Sequence, residues 1–257
     1  KNRTFLRILD AGTGDGTIKS NVIKTFHKHH PYTSLLITGK EISYEDLKNT
    51  LEKMPDRFVE HPNLLVTMTN VKFAELGHIE NSNKIKNKKV KTYTLILKED
   101  NSYDFHNQIN KLNNFIKKYW GIEIDNKSRT SYAHPCIIRI YREDHKRYLE
   151  PFLDNDYENN NYDLIIASQA YRAASLAKTK VNNVIAPLMR LLNKSGRLLV
   201  THSCGGDTVE KIIKIAWKDK NPFPNNAKDI IEYLKNNPVG ENNKYSYSKP
   251  KFYTFNF

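Results

Sequence analysis

The feature that most constrains the fold of this chain is a run of glycines close to its beginning. The short apolar segment 7–9 ends at Asp10, and three glycines follow at alternate positions, Gly12, Gly14 and Gly16. This pattern is typical of a buried parallel strand that runs into a tight turn, because glycine adopts backbone angles closed to other residues and lets a ligand approach the main chain. The next apolar residues recur at helical spacing and predict a helix over residues 17–29.

The same alternation of apolar segments and helical patterns recurs along the chain. The predicted strands are residues 7–9, 35–37, 64–66, 162–167 and 197–201. Ser43 and Asp46 form a capping pair that opens the second helix, and Pro187 is expected to kink a later one. Five strands that alternate with helices predict an α/β fold with a doubly wound, mainly parallel sheet, whose ligand site lies beyond the carboxyl ends of the strands.

The alternation breaks between the third and fourth strands. The patterns found there are a polar, lysine-rich stretch at 81–91, strand-like segments at 93–97 and 137–140, and helical spacing over 105–120. We therefore predict an inserted α+β subdomain, which divides the chain into residues 1–76, 77–150 and 151–257. The insertion is rich in aromatic and cationic residues, which suit a lid over a small acceptor and equally suit the insertion's own core.

The chain is strongly basic, with 41 Lys and Arg against 28 Asp and Glu and a formal net charge of +13. Clustered lysines and arginines bind nucleic acid by releasing counterions from its phosphates. Most lysines here are scattered among asparagines, as in residues 81–91 and 236–244. We therefore favour a well-solvated basic surface and treat nucleic acid as the less favoured partner.

The two cysteines, Cys136 and Cys204, are too few for a disulfide framework and lack paired metal-ligand spacing. They favour a reducing compartment, and the cytoplasm is the expected location. The sequence has neither a membrane-length apolar run nor the layout of a signal peptide, so no membrane partner is expected.

The glycine loop and two polar residues predict a nucleoside site. A dinucleotide fingerprint needs G-x-G-x-x-G, but position 17 is Thr, and the Gly-Lys-Ser/Thr ending of a P-loop is missing. Glu41 follows the second strand, where a carboxylate accepts hydrogen bonds from both hydroxyls of a ribose. Asn70 follows the third strand. Together these residues indicate a nucleoside ligand that is not NAD.

At this point the chain resembles the class I S-adenosylmethionine-dependent methyltransferase family, over roughly residues 5–76 and 160–217. Besides the glycine loop, residues 40–43 (Lys-Glu-Ile-Ser) are similar to the family's acidic residue and the Ser that opens its next helix. Residues 163–169 resemble its fourth strand, and residues 193–197 resemble its turn into the fifth strand. The resemblance implies S-adenosylmethionine as cofactor and no metal.

The resemblance also implies roles for single residues. Gly12, Gly14 and Gly16, with Thr13 in the same loop, would line the methionine portion of the cofactor, and Asp10 would organise the loop. Glu41 would hold the ribose with Ile42 beside it, and Asn70 would approach the adenine. Ser168 and Gln169, with Ala167, would border the sulfonium.

Residues after the fourth and fifth strands are candidates for contact with the acceptor. Tyr171 and Arg172 could orient an anionic acceptor, because a guanidinium binds carboxylates in a planar arrangement. His202 could act as a general base, since its ordinary pKa is near working pH. Each of the three also fits a purely structural role.

Three functions remain open at this stage. Methyl transfer to a small-molecule acceptor is favoured, because neither a DPPY- or NPPF-like run nor a cysteine follows the fourth strand, which ends Ser168-Gln169-Ala170. An RNA or protein methyltransferase is the alternative on the basis of charge. A non-catalytic S-adenosylmethionine-binding module is the third.

Overall fold

The computed structural model describes residues 5–79, 85, 90–124, 130–132, 134–153, 161–168, 170–172, 174–201, 211, 212 and 215. The strands in these residues are β1 (Phe5–Ala11), β2 (Ser34–Lys40), β3 (Leu64–Thr69), β4 (Lys91–Leu97), β5 (Ile122–Ile124), β6 (Thr130–Tyr132), β7 (Cys136–Arg142), β8 (Tyr162–Ser168) and β9 (Leu192–Thr201). The helices are α1 (Thr17–His29), α2 (Tyr44–Glu52), α3 (Met54–Glu60), α4 (Ser102–Asn110), α5 (Leu112–Tyr119), α6 (Lys146–Leu153), α7 (Ala177–Lys180) and α8 (Ala186–Met189).

Seven strands form one sheet in the order β4-β7-β3-β2-β1-β8-β9, and β5 pairs separately with β6. Neighbours within β3-β2-β1-β8-β9 are parallel, whereas β7 runs antiparallel to β3 and β4 runs parallel to β7. The predicted doubly wound, mainly parallel α/β sheet is therefore confirmed. Strand order reverses between β1 and β8, which is the switch point where such sheets bind ligands.

Helices cover both faces of the sheet. Apolar residues of α1 to α5, such as Ile23, Leu51 and Phe105, are buried against one face. Leu149 of α6 and Leu188 of α8 are buried against the other. Among the described residues, no helix is long and apolar enough to cross a membrane.

The segment predicted as an insertion contributes to the main sheet. Its strands β7 and β4 add to the free edge of β3, with Val66 opposite Ile140 in the register. The hydroxyl of Thr69 donates to the main-chain oxygen of Cys136 at 2.8 Å and ties the end of β3 to the start of β7. The division of the chain into three segments stays a prediction.

Two helical segments show features that the sequence did not predict. The single helix predicted over 105–120 is two helices, α4 and α5, which meet at Lys111. The kink expected at Pro187 stays a prediction, and a π-helical turn over Val181–Ile185 lies just before this proline, where the amide of Ala186 donates to the oxygen of Val181. Proline has no amide hydrogen to continue an α-helical ladder, and a wide turn before it relieves the clash with the preceding turn.

A histidine pair lies at the end of the sheet where β2 begins, next to the end of α1. His61 is fully buried, and its Nε2 lies 3.0 Å from the main-chain oxygen of Thr33. A carbonyl only accepts, so Nε2 carries the proton, and the bare Nδ1 accepts from Nδ1 of His27 at 3.1 Å. Burial lowers the pKa of His61 to about 4, and His27 adds to this effect.

We expect His61 to make stability fall as the pH is lowered. An unfolded histidine takes up its proton near pH 6.5, whereas folded His61 does so near pH 4. The folded chain therefore binds fewer protons in this window, and the contribution is fully present above pH 6.5 and lost toward pH 4. Urea unfolding should show that the free energy of unfolding falls by about 3 kcal/mol between pH 7 and pH 4 because of this group.

A comparison of two histidine variants separates the contribution of His61 to the pH dependence of stability from the contributions of other titratable groups. Asp10 titrates in the same window with the opposite sign, because burial raises its pKa to about 6. The His61→Gln variant should flatten the pH dependence relative to the unchanged chain. The exposed His106 of α4 supplies the control variant His106→Gln, which should show the same pH dependence as the unchanged chain. An unchanged slope in His61→Gln would contradict the assignment.

Candidate active site

A cleft of about 1170 Å³ opens at the carboxyl ends of β1, β2 and β8, at the switch point of the sheet. Drug-sized ligand pockets measure roughly 300–1,000 Å³, so this cleft has room for more than one small ligand. Eight residues predicted for the site lie in its wall: Gly12, Thr13, Gly14, Glu41, Ile42, Ser168, Tyr171 and Arg172.

The glycine loop forms one wall of the cleft in a backbone conformation that favours glycine. The φ angles of Gly12, Gly14 and Gly16 are 88°, 55° and 78°. The amides of Gly12 and Thr13 both donate to the main-chain oxygen of Lys40 at 3.0 Å, which fixes the loop against β2.

Two of these glycines have different surroundings. A Cβ at Gly16 would lie 2.6 Å from Oγ1 of Thr50 and 2.8 Å from its Cα, so this glycine is needed for α1 to pack on α2. A Cβ at Gly14 would meet nothing within 4 Å, and Gly14 lines the cleft. Gly14 therefore leaves open space on the ligand side of the loop.

Glu41 joins the loop to the start of α2. Its Oε2 accepts from the amide of Gly14 at 2.7 Å, and its Oε1 accepts from the amides of Ile42 and Ser43 at 2.6 and 2.8 Å. A carboxylate offers about four acceptor sites, so one on Oε2 stays available to a ligand hydroxyl. Glu41 thus shapes the loop and still faces the cleft.

A buried pair of opposite charges lies beneath the loop. Both carboxyl oxygens of Asp10 are buried and make no hydrogen bond to the described residues. Lys19 of α1 is fully buried, and its ammonium contacts the sulfur of Met68. Burial raises the pKa of Asp10 to about 6 and lowers that of Lys19 to about 8, and attraction between the two groups opposes both shifts. The loop therefore rests on a polar layer that has unused capacity for hydrogen bonds.

The wall beside β2 and β3 combines a cation with apolar surface. The ammonium of Lys40 lies 4.9 Å from the ring centroid of Phe73, and both residues line the cleft. Burial lowers the pKa of Lys40 to about 8, while Glu41 acts in the opposite direction. Ile42 is 41% exposed on the same lining, and exposed apolar surface in a cleft suits a flat, weakly polar ligand.

The opposite wall follows β8 and the π-helical turn. It contains Ser168, Tyr171, Arg172, Asn182 and Asn183. The side chains of the two asparagines are exposed and make no hydrogen bond within the described part of the chain. Burial raises the pKa of Tyr171 above its ordinary value. This wall presents amide, hydroxyl and guanidinium groups to whatever occupies the cleft.

Three other predicted residues lie outside the cleft lining. Asp10 is beneath the loop, Gly16 packs on α2, and Asn70 bridges two strands. The Asn70 amide donates to the oxygen of His134 at 3.0 Å and accepts from the amide of Cys136 at 2.7 Å. Asn70 is fully buried, so a contact between its side chain and adenine would require the neighbouring residues to move. Gln169 and His202 lie outside the described residues.

Sequence reasoning missed several cleft residues. The main ones are Lys40, Lys72, Phe73, Asn182, Asn183 and Pro187. Lys40 belongs to the Lys-Glu-Ile-Ser segment, in which the glutamate carries the signal, and Pro187 predicts only a break in a helix. The asparagines carried no usable signal, because asparagine is abundant throughout this chain. In the described ranges, no group of three or more His, Cys, Asp or Glu residues could hold a metal ion.

The comparisons with known proteins give one weak structural similarity. No protein-family model matches this chain, and no match was found among the curated proteins. A solved structure of the rRNA methyltransferase aviRa from Streptomyces viridochromogenes is similar at 12% sequence identity and a TM-score of 0.25. The similarity covers 77% of this chain and 65% of that chain, which is less than two thirds of the latter. A TM-score this low does not establish a shared fold, so the interpretation depends on the cleft itself.

Proposed function

We propose that this chain binds S-adenosylmethionine in the cleft and transfers its methyl group to an acceptor. The observation that carries the proposal is the meeting of Gly14 and Glu41 at 2.7 Å on the wall of a single cleft at the switch point. A glycine loop open to the ligand and a carboxylate with a spare acceptor site suit an adenosine ligand whose ribose reaches Glu41.

The residues of the cleft fit the parts of this cofactor. Glu41 would accept a ribose hydroxyl, Ile42 would lie against the adenine, and the space beside Gly14 would admit the methionine portion. Asp10 would supply negative charge beneath the loop to the amino group, since its buried carboxyl oxygens lack hydrogen bonds to the described residues. When bound, the cofactor supplies an activated methyl group.

The protein's own task in such a reaction is alignment of the acceptor and removal of a proton where the acceptor carries one. Tyr171 and Arg172 are the proposed orienting residues, because both line the wall of the cleft that follows β8. Gln169 and His202 keep their proposed roles beside the sulfonium and as general base. The volume of the cleft leaves room for a small acceptor, or for the reacting group of a larger one, beside the cofactor.

The test has a binding arm and a transfer arm. Calorimetry should detect saturable binding of S-adenosylmethionine and of S-adenosylhomocysteine, and NAD should show none. Methyl-labelled cofactor, incubated with fractionated metabolites, RNA and protein, should deliver label to one fraction. Absence of binding would refute the proposal, whereas binding without transfer to any fraction would support a non-catalytic cofactor-binding module.

A further inference from the structure

A row of aromatic rings lies at the same end of the sheet as the cleft, which is the end where β1, β2 and β3 finish. Its members, which we call the edge stripe, are Tyr93 of β4, Phe115 and Tyr119 of α5, and His134 just before β7. Successive ring centroids are 5.2, 5.1 and 5.7 Å apart. All four side chains are partly exposed, so the stripe borders the core and also faces solvent.

Main-chain contacts fix where the stripe begins. The oxygen of His134 accepts from the side chain of Asn70, which follows the carboxyl end of β3. The amide of Lys91 donates to the oxygen of Pro135 at 2.8 Å, so β4 starts at the same edge. The strand order β4-β7-β3-β2 leaves three strand spacings between β4 and the strand that leads into Glu41. That separation is about 14 Å.

Two positive charges converge on the centre of the stripe. The ammonium groups of Lys91 and Lys118 each lie 5.1 Å from the ring centroid of Tyr119. Neither lysine forms an ion pair within the part of the chain that the structure describes. Two positive charges beside one partly exposed ring attract an anion.

We propose that the edge stripe binds a single-stranded nucleic acid. Its phosphates would draw Lys91 and Lys118 away from the ring of Tyr119, and its bases would stack on that ring and its neighbours. Aromatic faces combined with lysines are how proteins hold unpaired strands, because every base has a face to stack and every nucleotide a phosphate. The inference rests on the proposed function and names a substrate class for it, since a strand along this edge would lead toward the cleft. A small acceptor would need no second contact about 14 Å away.

The experiment measures binding of the full chain to labelled oligonucleotides by fluorescence anisotropy over a range of salt concentrations. Unpaired RNA and DNA of the same mixed sequence, each about 12 nucleotides long, serve as probes. Comparing the two affinities shows whether the chain prefers RNA or DNA. The double variant Lys91→Gln with Lys118→Gln should bind more weakly. Its slope of log affinity against log salt should be shallower by about 0.7 for each phosphate that the variant no longer neutralises.

Stacking is tested separately from charge. Tyr119→Leu should lower affinity roughly tenfold without changing the salt slope, and Tyr119→Phe should retain affinity. Lys24→Gln with Lys28→Gln is the matched control, because these exposed lysines lie on α1, which ends at the opposite edge of the sheet. Circular dichroism checks the fold of Tyr119→Leu, and the lysine variants carry the test if that variant unfolds.

Two results would overturn the inference: no saturable binding to either probe, or the same loss in the lysine control as in the stripe variants. Label transferred only to a protein fraction, with no oligonucleotide binding, would also overturn it. Cofactor calorimetry on the same samples separates the two proposals. Cofactor binding without oligonucleotide binding would reject only the proposal that the edge stripe binds nucleic acid. Oligonucleotide binding without cofactor binding would reject only the proposed function.

Discussion

The Gly16→Ala variant should lose about 2–5 kcal/mol of unfolding free energy, measured by urea denaturation. An alanine at a φ of 78° costs about 1–2 kcal/mol through the clash of its Cβ with the backbone. The new Cβ would also lie 2.8 Å from Cα of Thr50, which is main chain of α2 and cannot rotate away. Overpacking of this kind adds about 1–3 kcal/mol.

The Gly14→Ala variant is the matched comparison, because it places the same methyl group two residues away. Its φ of 55° brings similar backbone strain, but the new Cβ meets nothing within 4 Å. We expect a loss of only about 1 kcal/mol in stability, together with a fall in cofactor affinity of roughly tenfold or more, because the methyl group occupies the cleft wall. Equal stability losses in the two variants would contradict the difference in packing described for them.

Much of the fold could be predicted from the sequence, because its signals are local. The apolar segments that became β1, β2, β3 and β8 are short, nearly continuous, and followed by turn residues or helical spacing. The capping pair also behaves as predicted, with Oγ of Ser43 accepting from the amide of Asp46 at 3.2 Å. Strand order then follows from the handedness of the crossovers rather than from any single residue.

The sheet edge formed by β7 and β4 was not predicted, because pairing between distant strands leaves no periodic signal. Asn70 illustrates the consequence. Its place after a strand resembles that of a ligand contact, yet both ends of its amide bond the backbone more than sixty positions further along the chain. A buried amide with donor and acceptor both satisfied stabilises the junction of β3 and β7.

The burial of Lys19 beneath the glycine loop is a second feature that the sequence alone does not reveal. In the sequence it is one lysine among many on an amphipathic helix, and in the fold it is fully buried. The signal that would have revealed it is Gly39 of β2, where a Cβ would lie 2.6 Å from Nζ of Lys19. Only the absence of a side chain on the facing strand leaves room for the ammonium, and recognising this requires the strand register.

The Glu41→Ala variant should weaken S-adenosylmethionine binding by about 2–4 kcal/mol in calorimetry. It removes the acceptor for the amides of Gly14, Ile42 and Ser43, so the loop loses its connection to α2. It also removes the proposed contact with the ribose. The exposed Glu45 of α2 provides the control variant Glu45→Ala, which should bind the cofactor normally.

A 2′-deoxy analogue of S-adenosylhomocysteine separates these two roles of Glu41. If the carboxylate contacts the ribose, Glu41→Ala should cost less affinity for the deoxy analogue than for S-adenosylhomocysteine, because the shared hydrogen bond cannot be removed twice. If Glu41 acts only by holding the loop, the two losses should be equal, and the ribose contact would be wrong. Affinity unchanged for both ligands would remove Glu41 from the site, and with it the observation on which the methyltransferase proposal depends.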